Sequence, residues 1–158
     1  MSSISFKSPI GPLTIHEQCG AITSLCWGQW ENRDVSSLLF SAKKQVQEYL
    51  KGTRKNFELP KKPCGSDFQL SVWREIDRIA FGQTASYGEL ALKLSSSPRA
   101  VGTACGKNPI PVIIPCHRII AKSGNLTGYS GGRGVETKRL LLSLETKACL
   151  HDKLVLTK

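Results

Sequence analysis

The chain has 158 residues, 40% hydrophobic and 22% charged, with a formal net charge of +10 at pH 7. These are globular values for one ordinary domain or two small ones sharing a core, and they exclude a generally disordered chain. No apolar run approaches membrane-spanning length and no signal-like segment opens the chain, so the expectation is a soluble, cytoplasmic protein whose six cysteines are reduced thiols.

In chain order, residues 4–6, 13–15 and 22–27 read as short strands, separated by turn signals at Pro9-Ile10-Gly11-Pro12 and Cys19-Gly20. A helix is predicted over Ser37–Leu50: Leu38, Leu39, Ala42, Val46 and Leu50 recur at helical spacing, and Gly52 stops the run. Leu59-Pro60-Lys61-Lys62-Pro63 reads as a linker. It sets an expected boundary near residue 62, between a small α/β domain over 1–62 and a mostly helical domain over 63–158.

Beyond the linker, Ser66 with Gln69 three residues on has the form of a capping box, and Phe68, Val72, Ile76 and Ile79 follow on one helical face. Ser86 with Glu89 repeats the signal for a short helix ending at Leu94. Ser97-Pro98 marks a third start, because proline suits the first helical position. Residues 90–108 therefore read as a helix-turn-helix candidate, with Arg99 near the front of its second helix. Along that helix Ala100, Gly102, Ala104 and Gly106 alternate small side chains. Glycine costs helix stability, so they point to close approach by another backbone, either a neighbouring helix or a nucleic-acid strand.

Two features carry chemistry. Residues 90–135 contain no Asp or Glu but hold Lys93, Arg99, Lys107, Arg118, Lys122 and Arg133. Such a stretch suits a phosphate-facing surface; on charge alone, a solvated face or an acidic-lipid patch is the alternative. Second, Ile113-Ile114-Pro115-Cys116-His117-Arg118-Ile119-Ile120 sets a cysteine beside proline, histidine and arginine inside an apolar run. A thiol attacks carbon well only as thiolate, so a nearby imidazole or cation is the chemical requirement. Neighbouring side chains of extended chain point to opposite faces, so Cys116 and His117 need not touch. The residues alone leave a reactive and an inert buried thiol equally open.

The ordered set of motifs resembles the 6-O-alkylguanine-DNA alkyltransferase family over roughly half the chain. It runs through Phe68-Gln69, Val72-Trp73, Phe81-Gly82-Gln83-Thr84, Ser86-Tyr87-Gly88-Glu89-Leu90-Ala91, Arg99-Ala100-Val101-Gly102 and Asn108-Pro109. Pro115-Cys116-His117-Arg118, Gly128-Tyr129-Ser130-Gly131-Gly132, Lys138, Leu141-Leu142 and Glu145 complete it. The resemblance implies a ribonuclease-H-like α/β N-terminal domain, a small antiparallel sheet plus helix, followed by a mostly helical winged helix-turn-helix domain. It implies DNA repair by irreversible, stoichiometric transfer of the alkyl group from 6-O-methylguanine in double-stranded DNA to Cys116, with O4-methylthymine a further candidate substrate.

The same resemblance assigns roles. His117 would activate the thiol through a bridging water, and Glu145 would orient the imidazole. Asn108 matches an asparagine that links the helix-turn-helix to the active-site segment. Tyr87 matches a tyrosine that crowds the target phosphate and donates a proton as guanine leaves. Arg99 matches a finger that enters through the minor groove and replaces the flipped nucleotide; Ala100, Gly102, Lys107 and Lys122 are expected on the same DNA-facing surface. Tyr129, Ser130 and Gly131 would form the lid of the base pocket, with Arg118 also expected in its lining. No cofactor, metal or membrane partner is implied, and the protein is expected to act as a monomer.

The chain departs from the family's common form in a shorter turn before Arg99, Ser95-Ser96-Ser97-Pro98, and in a longer step over 133–137 from Gly132 to Lys138. Cys19, Cys26, Cys64, Cys105 and Cys149 are expected to be structural or incidental, and His16 and His151 to lie at the surface. Two rivals stand beside this reading. Cys116 argues against a non-catalytic damage-binding module. A cysteine hydrolase normally takes its histidine from a distant part of the sequence, and it leaves the helix-turn-helix unexplained.

Overall fold

Ser2–Phe6 (β1), Leu13–Gln18 (β2) and Ala21–Trp27 (β3) form an antiparallel sheet in that order in the computed structural model, which describes residues 1–156, the last two by backbone alone. Alternation places Ile4, Phe6, Leu13 and Ile15 on one face, where they are buried with Ile22 and Leu25. Ser37–Leu50 (α1) packs on that face through Leu39, Ala42, Val46 and Tyr49; the Ser36 hydroxyl caps it by accepting from Leu39 N.

The other face is covered too. Residues 28–33 cross it from the end of β3 to the edge of β1: Thr14 Oγ1 donates to Gly28 O at 2.8 Å, and Ser3 and Arg33 exchange backbone bonds of 2.8 and 3.0 Å. This strap corrects the placement of His16 at the surface. His16 is buried, with Nδ1 3.0 Å from Ser24 Oγ and its ring edge-on to Trp30 at 4.8 Å, and burial lowers its pKa. Strand alternation alone pointed His16 to solvent, and only the returning chain covers it. His151 is exposed.

The free edge of β3 is paired as well, which removes a liability and joins the two halves of the chain. Ile22 bonds to the linker (Ile22 N to Pro60 O, 2.8 Å; Lys62 N to Ile22 O, 2.9 Å), and Leu25 N donates to Pro109 O at 2.9 Å.

The helical domain follows the start signals closely. Asp67–Asp77 (α2) opens on a complete Ser66/Gln69 capping box, Tyr87–Lys93 (α3) on a complete Ser86/Glu89 box, and Pro98–Gly106 (α4) on Ser97 with proline in its first turn. Ser95 takes a φ of +51° to close the short turn between α3 and α4. The small residues of α4 have separate uses. Trp73 Nε1 donates to Ala104 O at 2.9 Å where α4 meets α2, Gly102 lies beside the Tyr87 ring, and Gly106 borders open space. Ala85–Ser86 (β4) pairs in parallel with Ile119–Ile120 (β5), and Val135–Leu156 (α5) closes the domain. Thr137, Lys138, Leu141 and Glu145 form the buried face of α5. Among the described residues no helix is long and apolar enough to cross a membrane.

Candidate active site

The segment before β5 is not extended. Pro115 N-caps a 3-10 turn over Cys116–Arg118, in which Cys116 N donates to Ile114 O at 2.8 Å and Arg118 N to Pro115 O at 2.9 Å. Cys116, His117 and Arg118 are all buried, and the turn sends them in different directions. Cys116 lines a cavity, while His117 and Arg118 turn to α5.

On that side they meet Glu145, whose carboxylate is the centre of a buried cluster. His117 Nε2 lies 2.6 Å from Glu145 Oε2, and Arg118 donates from Nε to Oε1 at 2.9 Å and from Nη2 to Oε2 at 3.1 Å. The Gly82 amide donates to Oε1 at 2.9 Å. Tyr49, from α1 of the N-terminal domain, donates its hydroxyl to Oε2 at 2.5 Å, with its oxygen 3.1 Å from His117 Nε2. Burial pushes the Glu145 carboxyl up, but hydrogen bonds from His117 and Arg118 and the charge of Arg118 outweigh it and hold the group at about 2.

His117 is wholly buried, and burial lowers its pKa against the pull of Glu145; Arg118 and Lys138 lower it further. The imidazole is thus neutral, and Arg118 supplies the positive charge that balances Glu145. A neutral ring carries one N–H, and the carboxylate at Nε2 demands it there. Nδ1 is left as an unprotonated acceptor. It is buried and has no hydrogen-bond partner among the described residues. Burial also raises the Tyr49 hydroxyl, which stays a protonated donor.

Arg118 corrects an expectation. It was expected to line the pocket, but its guanidinium lies behind the Cys116 turn, held by Glu145 and by Ile79 O at 2.7 Å. Its charge therefore belongs to the fold and leaves the exposed basic stretch.

The cavity at Cys116 has a volume of about 380 Å³ and is lined by Tyr87, Cys105, Asn108, Pro109, Pro111, residues 128–132 and residues 25–27. Burial pushes the Cys116 thiol up, opposed by a hydrogen bond from Asn108 and the charge of Lys138, so the resting sulfur is protonated and requires a base. Asn108 also donates from Nδ2 to Ile114 O at 2.9 Å and accepts from Ile110 N at 3.0 Å, fixing the chain between α4 and the cysteine turn. Lys138 is buried, with Nζ donating to Thr127 O at 3.0 Å and lying 5.8 Å from the Tyr87 ring centroid. Tyr87 OH donates to the same carbonyl at 3.3 Å, and burial raises its pKa. Tyr129 is buried with its hydroxyl unpartnered among the described residues, while Ser130 is exposed and Gly131 half-buried.

The remaining expected residues lie outside this cavity. Arg99, at the front of α4, is exposed, as are Lys107 and Lys122; Ala100 and Gly102 are half-buried between them and the domain interior. Tyr87 belongs to both regions, since it lines the cavity and borders Gly102. Sequence reasoning missed Tyr49, the Gly82 amide, Trp27, and any site role for Lys138. The one available signal for Tyr49 was its place on the apolar face of α1, three residues after Val46.

The chain matches two family models, described as 6-O-methylguanine DNA methyltransferase, ribonuclease-like domain, over residues 1–63, and DNA binding domain of the same enzyme, over residues 67–147. It is 39% identical over 153 residues to the constitutive methylated-DNA--protein-cysteine methyltransferase of Bacillus subtilis, covering 88% of this chain and 92% of that one. The Mycobacterium tuberculosis methylated-DNA--protein-cysteine methyltransferase is 39% identical over 157 residues, 94% of each chain. The crystal structure of Mycobacterium tuberculosis OGT in complex with DNA is similar at a TM-score of 0.83 and 39% identity, covering 92% of this chain and 93% of that one.

Proposed function

The chain belongs to the 6-O-methylguanine DNA methyltransferase family, and from that premise we propose that it repairs alkylated duplex DNA by moving the alkyl group of 6-O-methylguanine onto its own Cys116. The observation that carries this reading is the Cys116 thiol lining a cavity, followed in sequence by an imidazole whose Nε2 is bound by Glu145 and whose Nδ1 is free to accept. A water between Nδ1 and the sulfur relays the thiol proton to His117. The Cys116 thiolate then attacks the alkyl carbon in line. The sulfur–carbon bond forms as the carbon–oxygen bond to guanine breaks, and a proton from Tyr87 neutralises the departing base. The imidazolium then passes its proton through water to the Tyr87 phenolate, so the thiol hydrogen is in effect carried to guanine, none is gained or lost overall, and no cofactor enters. Glu145 steadies the transient imidazolium through groups already in place.

Delivery of the base falls to the exposed face of α4. Arg99 enters through the minor groove and fills the place of the flipped nucleotide, Gly102 lets the backbone approach, and Lys107 and Lys122 bind phosphate. The nucleophile, its relay partners and the DNA-facing helix all lie in one chain, which supports action as a monomer. Mass mapping after mixing with a duplex containing 6-O-methylguanine tests the reading. One methyl group is expected on the peptide holding Cys116 and none in Cys116→Ser, which still binds the duplex. Loss of methyl from DNA with Cys116 unmodified would contradict the assignment.

A further inference from the structure

The relay explains the floor of the Cys116 cavity; its roof is held by the other domain. Gly131 and Gly132 lie against the indole of Trp27, at the end of β3. A Cβ built on Gly131 would fall 2.7 Å from Trp27 Cη2, and one on Gly132 would fall 2.9 Å from Nε1. Neither separation is tolerated between real atoms, so the backbone of 131–132 rests in full contact with the ring. The ring is not free to give way. Its Nε1 donates to Ile10 O at 2.9 Å, and the next turn of the hairpin packs beside it, Gly11 facing Cδ1. Tyr129 meets the same indole edge-on, with centroids 6.2 Å apart and planes at 89°. The strand that carries Trp27 is itself tied to the cysteine segment by the bond from Leu25 N to Pro109 O.

We propose that Trp27 is a positioning residue of the alkyl-base pocket: a fixed indole platform, supplied by the N-terminal domain, that sets the height of the 129–132 segment over a bound planar base. On this view Gly131 is small because a side chain there would collide with Trp27. The pocket is therefore incomplete without the hairpin, although the nucleophile and its relay partners His117, Arg118 and Glu145 all lie in the helical domain. The inference rests on the transfer reading above, since it concerns how that pocket grips its base.

The test is alkylation of Cys116 by the free base 6-O-benzylguanine, followed by mass across a concentration series, which separates the half-saturating concentration from the limiting rate. Trp27→Ala should raise the half-saturating concentration about tenfold while changing the limiting rate less than about twofold, because Cys116, His117 and Glu145 are untouched. Gly131→Ala alone should cause a rise of about the same size, since the new methyl displaces the segment from the ring. Added to Trp27→Ala, it should cause almost none, because its collision partner is gone. Trp27→Leu, which keeps apolar volume in the core, carries the same cycle should Trp27→Ala not fold. An equal Gly131→Ala effect with and without Trp27, or a loss confined to the limiting rate and thermal stability, would overturn the platform role. Failure of the wild-type protein to be alkylated at Cys116 would instead overturn the transfer reading, and this inference with it.

Discussion

Glu145 and Arg99 each carry a full charge, and the protein treats them in opposite ways. Glu145 is 1% exposed and receives bonds from His117, Arg118, Tyr49 and the Gly82 amide. Arg99 is exposed and, among the described residues, makes no ion pair. The buried charge is fixed by donors drawn from both domains before any substrate arrives, so it is shielded from salt and sensitive to the loss of a partner. The exposed charge contributes nothing to the fold and is available to a ligand. On the proposed reading chemistry and delivery of the base are separable, and substitutions should sort them.

The largest effect is expected from Glu145→Gln. The amide keeps the shape of the carboxylate but leaves the Arg118 guanidinium buried without its counter-charge, a loss of about 3–5 kcal/mol in urea unfolding. Alkyl transfer should slow as well, because His117 loses the group that orders its tautomer. The pH dependence follows from the low pKa of Glu145, about 2 against an ordinary 4.5. A carboxyl whose folded-state pKa is depressed stabilises the protein fully above the unfolded value and ceases to do so as pH falls through the folded one. Wild-type stability should therefore drop between about pH 4.5 and 2, and Glu145→Gln should show a shallower drop over that window. Equal acid profiles would remove Glu145 from the centre of the cluster.

Arg99→Ala is expected next, at about tenfold to a hundredfold slower repair of duplex DNA with unchanged unfolding. Reaction with free 6-O-benzylguanine, which needs no flipping, should change by less than about twofold. Parallel losses on both substrates would make Arg99 structural and break the comparison. Tyr49→Phe should have the smallest effect, about 1 kcal/mol of stability and a few-fold slower transfer on both substrates, since Glu145 keeps its other donors. A loss on duplex DNA alone would place Tyr49 with delivery of the base.

Much of this was legible in the sequence because it is local. Ser66, Ser86 and Ser97 announced three helix starts within a few residues of chain, and Pro115-Cys116-His117-Arg118 marked the segment that lines the cavity and meets Glu145. What was illegible depends on chain returning from afar. Tyr49 reaches Glu145 from 96 residues away, and nothing in the spacing of α1 distinguishes a tyrosine that packs from one that also donates. His16 is buried only because residues 28–33 cross the sheet, and Arg118 faces inward only because the cysteine segment coils into a 3-10 turn. Its charge, read as part of a basic surface, balances Glu145 instead.

The central claim is that Cys116 is consumed by a single transfer: a thioether carbon offers no activated centre from which any residue here could expel the sulfur. Titrating a fixed amount of protein with excess duplex containing 6-O-methylguanine, and counting methyl groups removed, tests it most directly. The count should rise to one per protein molecule and stop there at any incubation time, with the plateau moving in proportion to the protein added. Continued removal beyond that ratio, with Cys116 still free at the end, would contradict it.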